Sequence, residues 1–570
     1  MAESEASDLV AQLGITPPDV WRTQHLEYRL NPEKLWPILL PPCRVAVLIV
    51  TDSGGSFGTG PFALKALIDA LAMPPGPWVK FQITTANRRA DPTASIQNFN
   101  FATAKLDDFD EIWLFGVERT GSPGLTDQEL RALSQFMDGG GGVFATGDHE
   151  DLGVTMCGSV PRVRSMRKWH WPNPGPHGEP VAPPVGGLDR LDTLREGPSG
   201  GFQFDDQSDV VPQNISPRMY PSWSFPWKFP WSVHPHPVLC GPRGVIRVLP
   251  DHPHEGECYV PTDLTSSFTF DGYTIEEYPA FGGGGARLAP EVIARSTIIG
   301  GRSAEDVKGP VTPRSFGAIG AWDGHRVTRG RVLVDATWHH FFNINLVGDA
   351  SSPDPLKQIG FMASPAGQAA FEEIKSYYRN IAVWLARPQR QACMRWRALW
   401  ACRWNHRVVM DLRPQYLERG IRSLDLPELL RVGALARDAL GKIASQCQVH
   451  IWLSDILKAL LPKRWPVIEP LVDPWWPIPP KPAPDPVPWL YANTLVDAAL
   501  GGSVYALGAE FPHPDLDAAG RAQELDWERL IGPAADVAIA RVREAIDRST
   551  KQASDLTRSL GTEKDGPRPA

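Results

Sequence analysis

The chain has 570 residues, more than one ordinary core accommodates, so two or three domains are expected. Apolar residues make up 42% and charged residues 21%, a globular composition, and a formal charge of -8 argues against a protein built to bind nucleic acid. No stretch approaches the roughly 18 apolar residues of a membrane helix, so no membrane span is expected. The 57 prolines and 21 tryptophans point to long, aromatic-packed loops rather than disorder, since disordered segments are poor in aromatics. The cysteines at 43, 157, 240, 258, 393, 402 and 447 are odd in number and form no CxxC pair. That spacing suggests neither a disulfide framework nor a zinc ribbon. The acidic start, MAESEASDLVAQLG, lacks the basic-then-apolar order of a signal peptide. The expectation is a cytoplasmic, reduced protein.

Residues 1–40 read as a leader, with a short helix from Ser7 to Leu13. RVAVLIV (Arg44 to Val50) is a continuous apolar run, as in a strand buried on both faces. It enters the glycine-rich turn TDSGGSFGTG and then PFALKALIDALA (Pro61 to Ala72), which has helical spacing. Strand, turn and helix in that order open a βαβ unit. WVKFQITT (Trp78 to Thr85) and DEIWLFGV (Asp110 to Val117) read as the second and third strands. Thr126 to Met137 reads as a helix with a Thr126/Glu129 capping box, and GVFATGD (Gly142 to Asp148) as the fourth strand and its exit. Residues 154–277 form a long insertion rich in Pro, Trp, His and Gly, expected to drape over the strand ends as a lid. Its Trp223, Trp227 and Trp231 would exclude water or stack on a ligand, with His234, His236, His252 and His254 beside them. Ser315 to Ala321 and Arg331 to Thr337 then read as two strands joined near Asp323-Gly324. From 349 to 570 the text turns helical: roughly 365–386, 389–409, 427–460, 490–509 and 517–558, with an extended Pro-rich segment at 462–488. The fold class is therefore α/β: a doubly wound, mainly parallel, flavodoxin-like sheet over 41–348, followed by a mostly α-helical domain.

In open parallel sheets ligands bind beyond the carboxyl ends of the strands. The residues there are Asp52, Ser53, Gly54 and Gly55 after the first strand, and Glu118 and Arg119 after the third. Asp148, His149, Glu150 and Asp151 follow the fourth, and Trp338, His339 and His340 the last. Asp148, His149, Glu150 and His340 are the candidate acids and bases; His149, His339 and His340 are the candidate ligands of a divalent metal. The competing reading of Thr146 to Asp151 is a helix N-terminus, where acidic residues offset the macrodipole. Arg162 and Arg164, with Arg167 and Lys168, are either a solvated face or a clamp for a carboxylate or phosphate.

Three passages resemble the class I glutamine-amidotransferase-like superfamily, in its trehalose-utilisation (ThuA-like) branch, over about residues 41–348. GGGGVFATGDHE stands where that superfamily has its nucleophile turn, HPVLCG (His236 to Gly241) resembles a His-Pro-Ile-Thr-x-Gly segment, and GRVLVDATWHHFF (Gly330 to Phe342) resembles its final Gly-Arg-Val strand. The turn itself, Thr146-Gly147-Asp148, carries no cysteine, and His340 is followed by Phe341 and Phe342 rather than by the superfamily's glutamate. The resemblance thus implies a ThuA-like hydrolase or other acid–base catalyst on a small polar or sugar-like substrate, not a glutamine amidotransferase. Cys157 reads as an ordinary buried thiol. The rival reading is a non-catalytic domain that senses a small-molecule ligand and signals through the helices. Trp396, Trp400 and Trp404, four residues apart and flanked by arginines, read as a packing stripe; the alternative, contact with an anionic membrane surface or a nucleic acid, is opposed by the acidic net charge. The helical third is expected to act as a scaffold, meeting a second copy or a protein partner.

Overall fold

The computed structural model describes residues 40–562 apart from 77, 149–150, 171–173, 177–213, 223–231, 250–255, 282–284, 299–300, 303–309, 312–313, 353–354, 356, 413, 461, 464, 476–491 and 513–515. The leader helix, the three lid tryptophans and most of the Pro-rich segment therefore lie outside the described residues.

Among the described residues the main sheet has eight strands: β1 (Cys43–Thr51), β2 (Val79–Asn87), β3 (Glu111–Phe115), β4 (Gly142–Thr146), β5 (Ser216–Pro217), β6 (Glu291–Ile298), β7 (Arg314–Trp322) and β8 (Val332–Asp335). Their order is β2-β1-β3-β4-β8-β7-β6-β5. The first five in that order are parallel, and β7, β6 and β5 are added antiparallel.

Alternation along the buried strands explains their unbroken hydrophobicity. Val45, Val47 and Ile49 of β1 face one layer, with Leu333 of β8, against α1 (Lys65–Ala72). Leu48 and Val50 face the other, with Ile112, Val143 and Val334, against α2 (Asp127–Asp138). Each such side chain contributes on the order of 1.5–3 kcal/mol by leaving water. The expected capping box opens α2: Thr126 Oγ1 accepts from Glu129 N, and the Glu129 carboxylate accepts from Thr126 N at 3.0 Å.

The first layer also receives α3 (Pro365–Leu385), which begins the helical region. Next come α4 (Pro388–Arg403), α5 (Leu426–Ala444), α6 (Gln446–Leu460), α7 (Ala492–Glu510) and α8 (Trp527–Thr562). α7 packs between α5 and α8. The tryptophan stripe of α4 is packing: Trp396 stacks on Trp527 at 5.8 Å, and Trp400 meets Phe511 edge-on at 4.9 Å. No described helix is long and apolar enough to cross a membrane.

Four expectations need correction. The helix expected over 389–409 stops at Arg403, and Asn405 caps a separate short helix, His406–Asp411. The one expected over 427–460 breaks at Ser445, whose φ of 64° cannot continue a right-handed helix. The one expected over 517–558 is likewise two helices, Leu516–Glu524 and α8. Finally, Cys43 and Cys393 are joined as a disulfide with Cα atoms 6.0 Å apart. The packing of α4 on β1 brings together residues 350 apart in sequence, which cysteine spacing cannot reveal.

Candidate functional site

The chain leaves β1 for β2 on one side and later places β3 on the other, so the carboxyl ends of β1 and β3 flank a reversal of strand order. Such a reversal opens a crevice in a parallel sheet. Asp52 stands at this reversal, 0% exposed, accepting the Val117 N–H at 2.9 Å and the Glu118 N–H at 3.2 Å. Burial pushes its carboxyl up to about 7, against the pull of those two N–H groups and with help from the nearby Glu118 charge. Glu118 takes a forked pair of bonds from Arg89, 2.9 Å from Nε and 2.8 Å from Nη2, and accepts the Ser53 N–H at 3.3 Å. Burial raises the Glu118 carboxyl, but Arg89 and Ser53 outweigh it and hold the group below its ordinary value.

Two glycine positions let these loops approach. A Cβ on Gly54 would stand 2.8 Å from a Val117 methyl, and one on Gly116 would stand 2.5 Å from the Gly153 Cα. The second contact sets the β3 exit directly against the loop that follows Asp148, and Gly153 N donates to Glu118 O at 3.1 Å.

β4 and β8 are adjacent parallel strands, with Thr146 in register with Asp335. Just beyond them, His339 Nε2 lies 3.2 Å from Asp148 Oδ2. Thr337 organises the pair: its hydroxyl donates to Asp148 Oδ1 at 3.4 Å and accepts the His339 N–H at 3.3 Å. A carboxylate held against one imidazole nitrogen restrains the ring's orientation. His339 is 9% exposed, and Trp338, ringed by Phe62 at 6.1 Å and Phe342 at 5.0 Å, forms an aromatic rim beside it.

The structure brings together Asp52, Ser53, Gly54, Gly55 and Glu118 at one side of this edge, and Asp148, Trp338 and His339 at the other. His149 and Glu150 lie outside the described residues. The helix-terminus reading of the Asp148 turn is corrected. Among the described residues the next helix is Val154–Cys157, which starts after Gly153 with no acid in its first turn. Asp151 instead accepts the Thr120 N–H at 2.7 Å.

His340, a candidate base and metal ligand, is placed in the core. Its Nε2 lies 2.8 Å from Asp335 Oδ2, which also accepts the Tyr377 hydroxyl at 2.8 Å, while Tyr378 bonds the His340 carbonyl. His339 and His340 thus face different carboxylates and do not converge on a common ion. Among the described residues no group of three His, Cys, Asp or Glu side chains could hold a metal. Arg162 and Arg164 also leave the candidate site. Arg162 is buried against Asp138 at 2.7 Å and the Glu277 carbonyl at 3.0 Å, and Arg164 pairs with Glu277 at 3.3 Å. Arg162 ties the insertion to α2, and Arg164 pairs within the insertion. His236 packs on Trp384 at 4.8 Å, near Arg331 at the start of β8 and so at the opposite end of that strand from His339. There Asp323, Arg326, Arg331 and Asp473 line a polar cavity of about 120 Å³, their charges compensated in pairs.

Two contributors stand outside the strand-end residues read from the sequence: Arg89, and Arg167, which the sequence offers only as part of the basic cluster. Arg89 leaves β2, so the same strand-end criterion would have found it. Arg167 is fully buried, and its Nη2 donates to the Asp148 carbonyl and, at 3.0 Å, to the Ala336 carbonyl. It holds the β4 and β8 exits together, and only the basic cluster around it hinted at a role. Comparison with family models, curated proteins and solved structures finds no match to the chain.

Proposed function

We propose that the chain is a ThuA-like acid–base enzyme, hydrolytic in kind, acting on a small polar or sugar-like molecule held at the strand-end crevice. The carrying observation is the His339–Asp148 contact at the ends of two adjacent parallel strands, beside a buried carboxyl displaced to about 7. The β2-β1-β3-β4-β8 order supports a flavodoxin-like core with its binding crevice at the β1/β3 reversal.

In this reading His339 takes a proton from water or a substrate hydroxyl, and Asp148 stabilises the resulting imidazolium. Arg167 fixes both loops through their carbonyls. The Glu118–Arg89 pair meets the ligand's polar groups, while Trp338 and Phe62 offer ring faces suited to a sugar's C–H surface. Glu150 and His149, outside the described residues, remain further acid and base candidates. The test is ligand-induced stabilisation across a set of sugars, polyols and their acids. A ligand that raises Tm in the wild type should lose that effect in Trp338→Ala, whose own Tm changes little. Equal stabilisation of both forms would remove the crevice reading.

One observation favours a second reading, a sensor without turnover. Tyr377 and Tyr378 of α3 bond Asp335 and His340, directly behind His339. Movement of the His339 loop on binding would be transmitted to α3 and the helices that meet a partner. Ligand binding without product formation, together with altered amide exchange along α3, would favour it.

A further inference from the structure

The cysteines outside the disulfide fall into two kinds. Cys157, Cys258 and Cys402 are buried singly, and each donates to a backbone carbonyl: Thr146 O at 3.9 Å, Ala318 O at 3.5 Å and Ala436 O at 3.4 Å. Burial pushes the Cys157 and Cys402 thiols up, far from ionisation at neutral pH. Cys240 and Cys447 instead face each other, packed with Tyr220 and Trp475. Cys240 lies in the insertion, where Asn380 of α3 holds its carbonyl at 3.1 Å. Cys447 lies in the first turn of α6, a helix of 15 residues that starts after the strained Ser445.

The contacts on the Cys240 sulfur suit a thiolate. It packs against Cys447 in the first turn of α6, where the Ser445 hydroxyl and the N–H groups of Gln446 and Cys447 favour a negative charge on it. The Cys447 hydrogen bond, chiefly, outweighs burial and lowers the Cys240 thiol to about 7, while burial and the neighbouring sulfur push Cys447 well up. One sulfur is thus prepared as a nucleophile and the other retains its proton. Ser445 also lines a cavity of about 130 Å³, together with Arg379 and Lys442, two cations able to draw in an anionic reagent.

We propose that Cys240 and Cys447 form a redox-active dithiol that closes to a disulfide by exchange with a small carboxylate-bearing disulfide, of which glutathione disulfide is the probe. The Cys240 thiolate attacks one sulfur of the reagent, breaking its S–S bond and expelling one thiolate. Cys447 then gives up its proton and attacks the Cys240 sulfur of the mixed disulfide, expelling the second thiolate. The two protein thiols are oxidised, one reagent disulfide is reduced to two thiols, and both protons leave on them. The product staples the insertion to the start of α6, as Cys43–Cys393 staples β1 to α4.

The test uses the full chain, exposed to glutathione disulfide and mapped by non-reducing proteolysis and mass spectrometry. Expected is a Cys240–Cys447 cross-linked peptide that dithiothreitol reverses. In Cys447→Ser the reaction stops at a glutathione adduct on Cys240; in Cys240→Ser no adduct appears on Cys447. Alkylation of Cys240 slows about tenfold between pH 7.5 and 6, as its thiolate fraction falls. The proposal is overturned if both thiols stay free under conditions that oxidise the urea-unfolded chain. It is equally overturned if Cys157, Cys258, Cys402 or Cys447 reacts ahead of Cys240, or if the folded Cys447→Ser chain collects no adduct.

Discussion

Replacing Asp52 by Asn tests the electrostatics of the crevice without needing a substrate. Asn keeps the volume and shape but cannot ionise. The Asp52 carboxyl is raised from 3.8 to about 7 in the folded chain, chiefly by burial. A raised acid is protonated in the folded state while its unfolded counterpart has already ionised. Its contribution to stability is fully present below about pH 4 and is lost as pH rises through about 7. A displacement of roughly three pKa units at about 1.4 kcal/mol each gives a loss of about 4 kcal/mol across that window. Urea unfolding of both forms at pH 4.5, 6, 7 and 8 measures it. Other buried groups, such as Glu111 and His236, titrate in both proteins and cancel in the difference. The stability of the wild type relative to Asp52→Asn should fall by about 3–4 kcal/mol between pH 4.5 and 8, most of it before pH 7. A difference that stays constant with pH, or grows, refutes the assignment of a raised carboxyl to Asp52.

Other outcomes follow from the same geometry. Arg167→Met leaves the Asp148 and Ala336 carbonyls without their buried cation and should cost about 3 kcal/mol or more in urea unfolding. His340→Gln breaks the Asp335–Tyr377 cluster and should lower Tm by several degrees, whereas His339→Gln, at the crevice, should leave Tm nearly unchanged. Trp527→Ala removes the ring stacked on Trp396 and should cost about 3–5 kcal/mol, with no new affinity for anionic vesicles. Cys157→Ala should leave any ligand binding intact, because that thiol is buried behind β4 and bonded to Thr146 O.

Where sequence reasoning succeeded and failed has physical causes. β1 was legible because its residues are buried on both faces, which forces a run of Val, Leu and Ile. α2 was legible because its cap is local, three residues from Thr126 to Glu129. β6 was missed: EVIARSTI follows Gly- and Pro-rich text, and its place in the sheet is set by pairing with β7, not by its own pattern. The break at Ser445 carries neither Gly nor Pro to announce it. The strand-end rule located Asp52, Glu118, Asp148 and His339 correctly as exit residues. It could not decide which of two consecutive histidines approaches Asp148, since that depends on how α3 packs behind Asp335. Arg162 reads as part of a solvated face or a ligand clamp because its partners, Asp138 and Glu277, are 24 and 115 residues away.

The central claim, that His339 and Asp148 form a working acid–base pair, is tested most directly by turnover. Wild type, His339→Gln and Asp148→Asn would be assayed against chromogenic glycosides and esters of small polar acids between pH 5 and 9. The wild type is expected to hydrolyse at least one member of the set. Each variant should lose about a hundredfold or more in kcat/KM for it, as expected for removal of a general base, while keeping its Tm within a few degrees. Wild-type turnover that survives in His339→Gln, or a wild type inert toward the whole set, would contradict the claim.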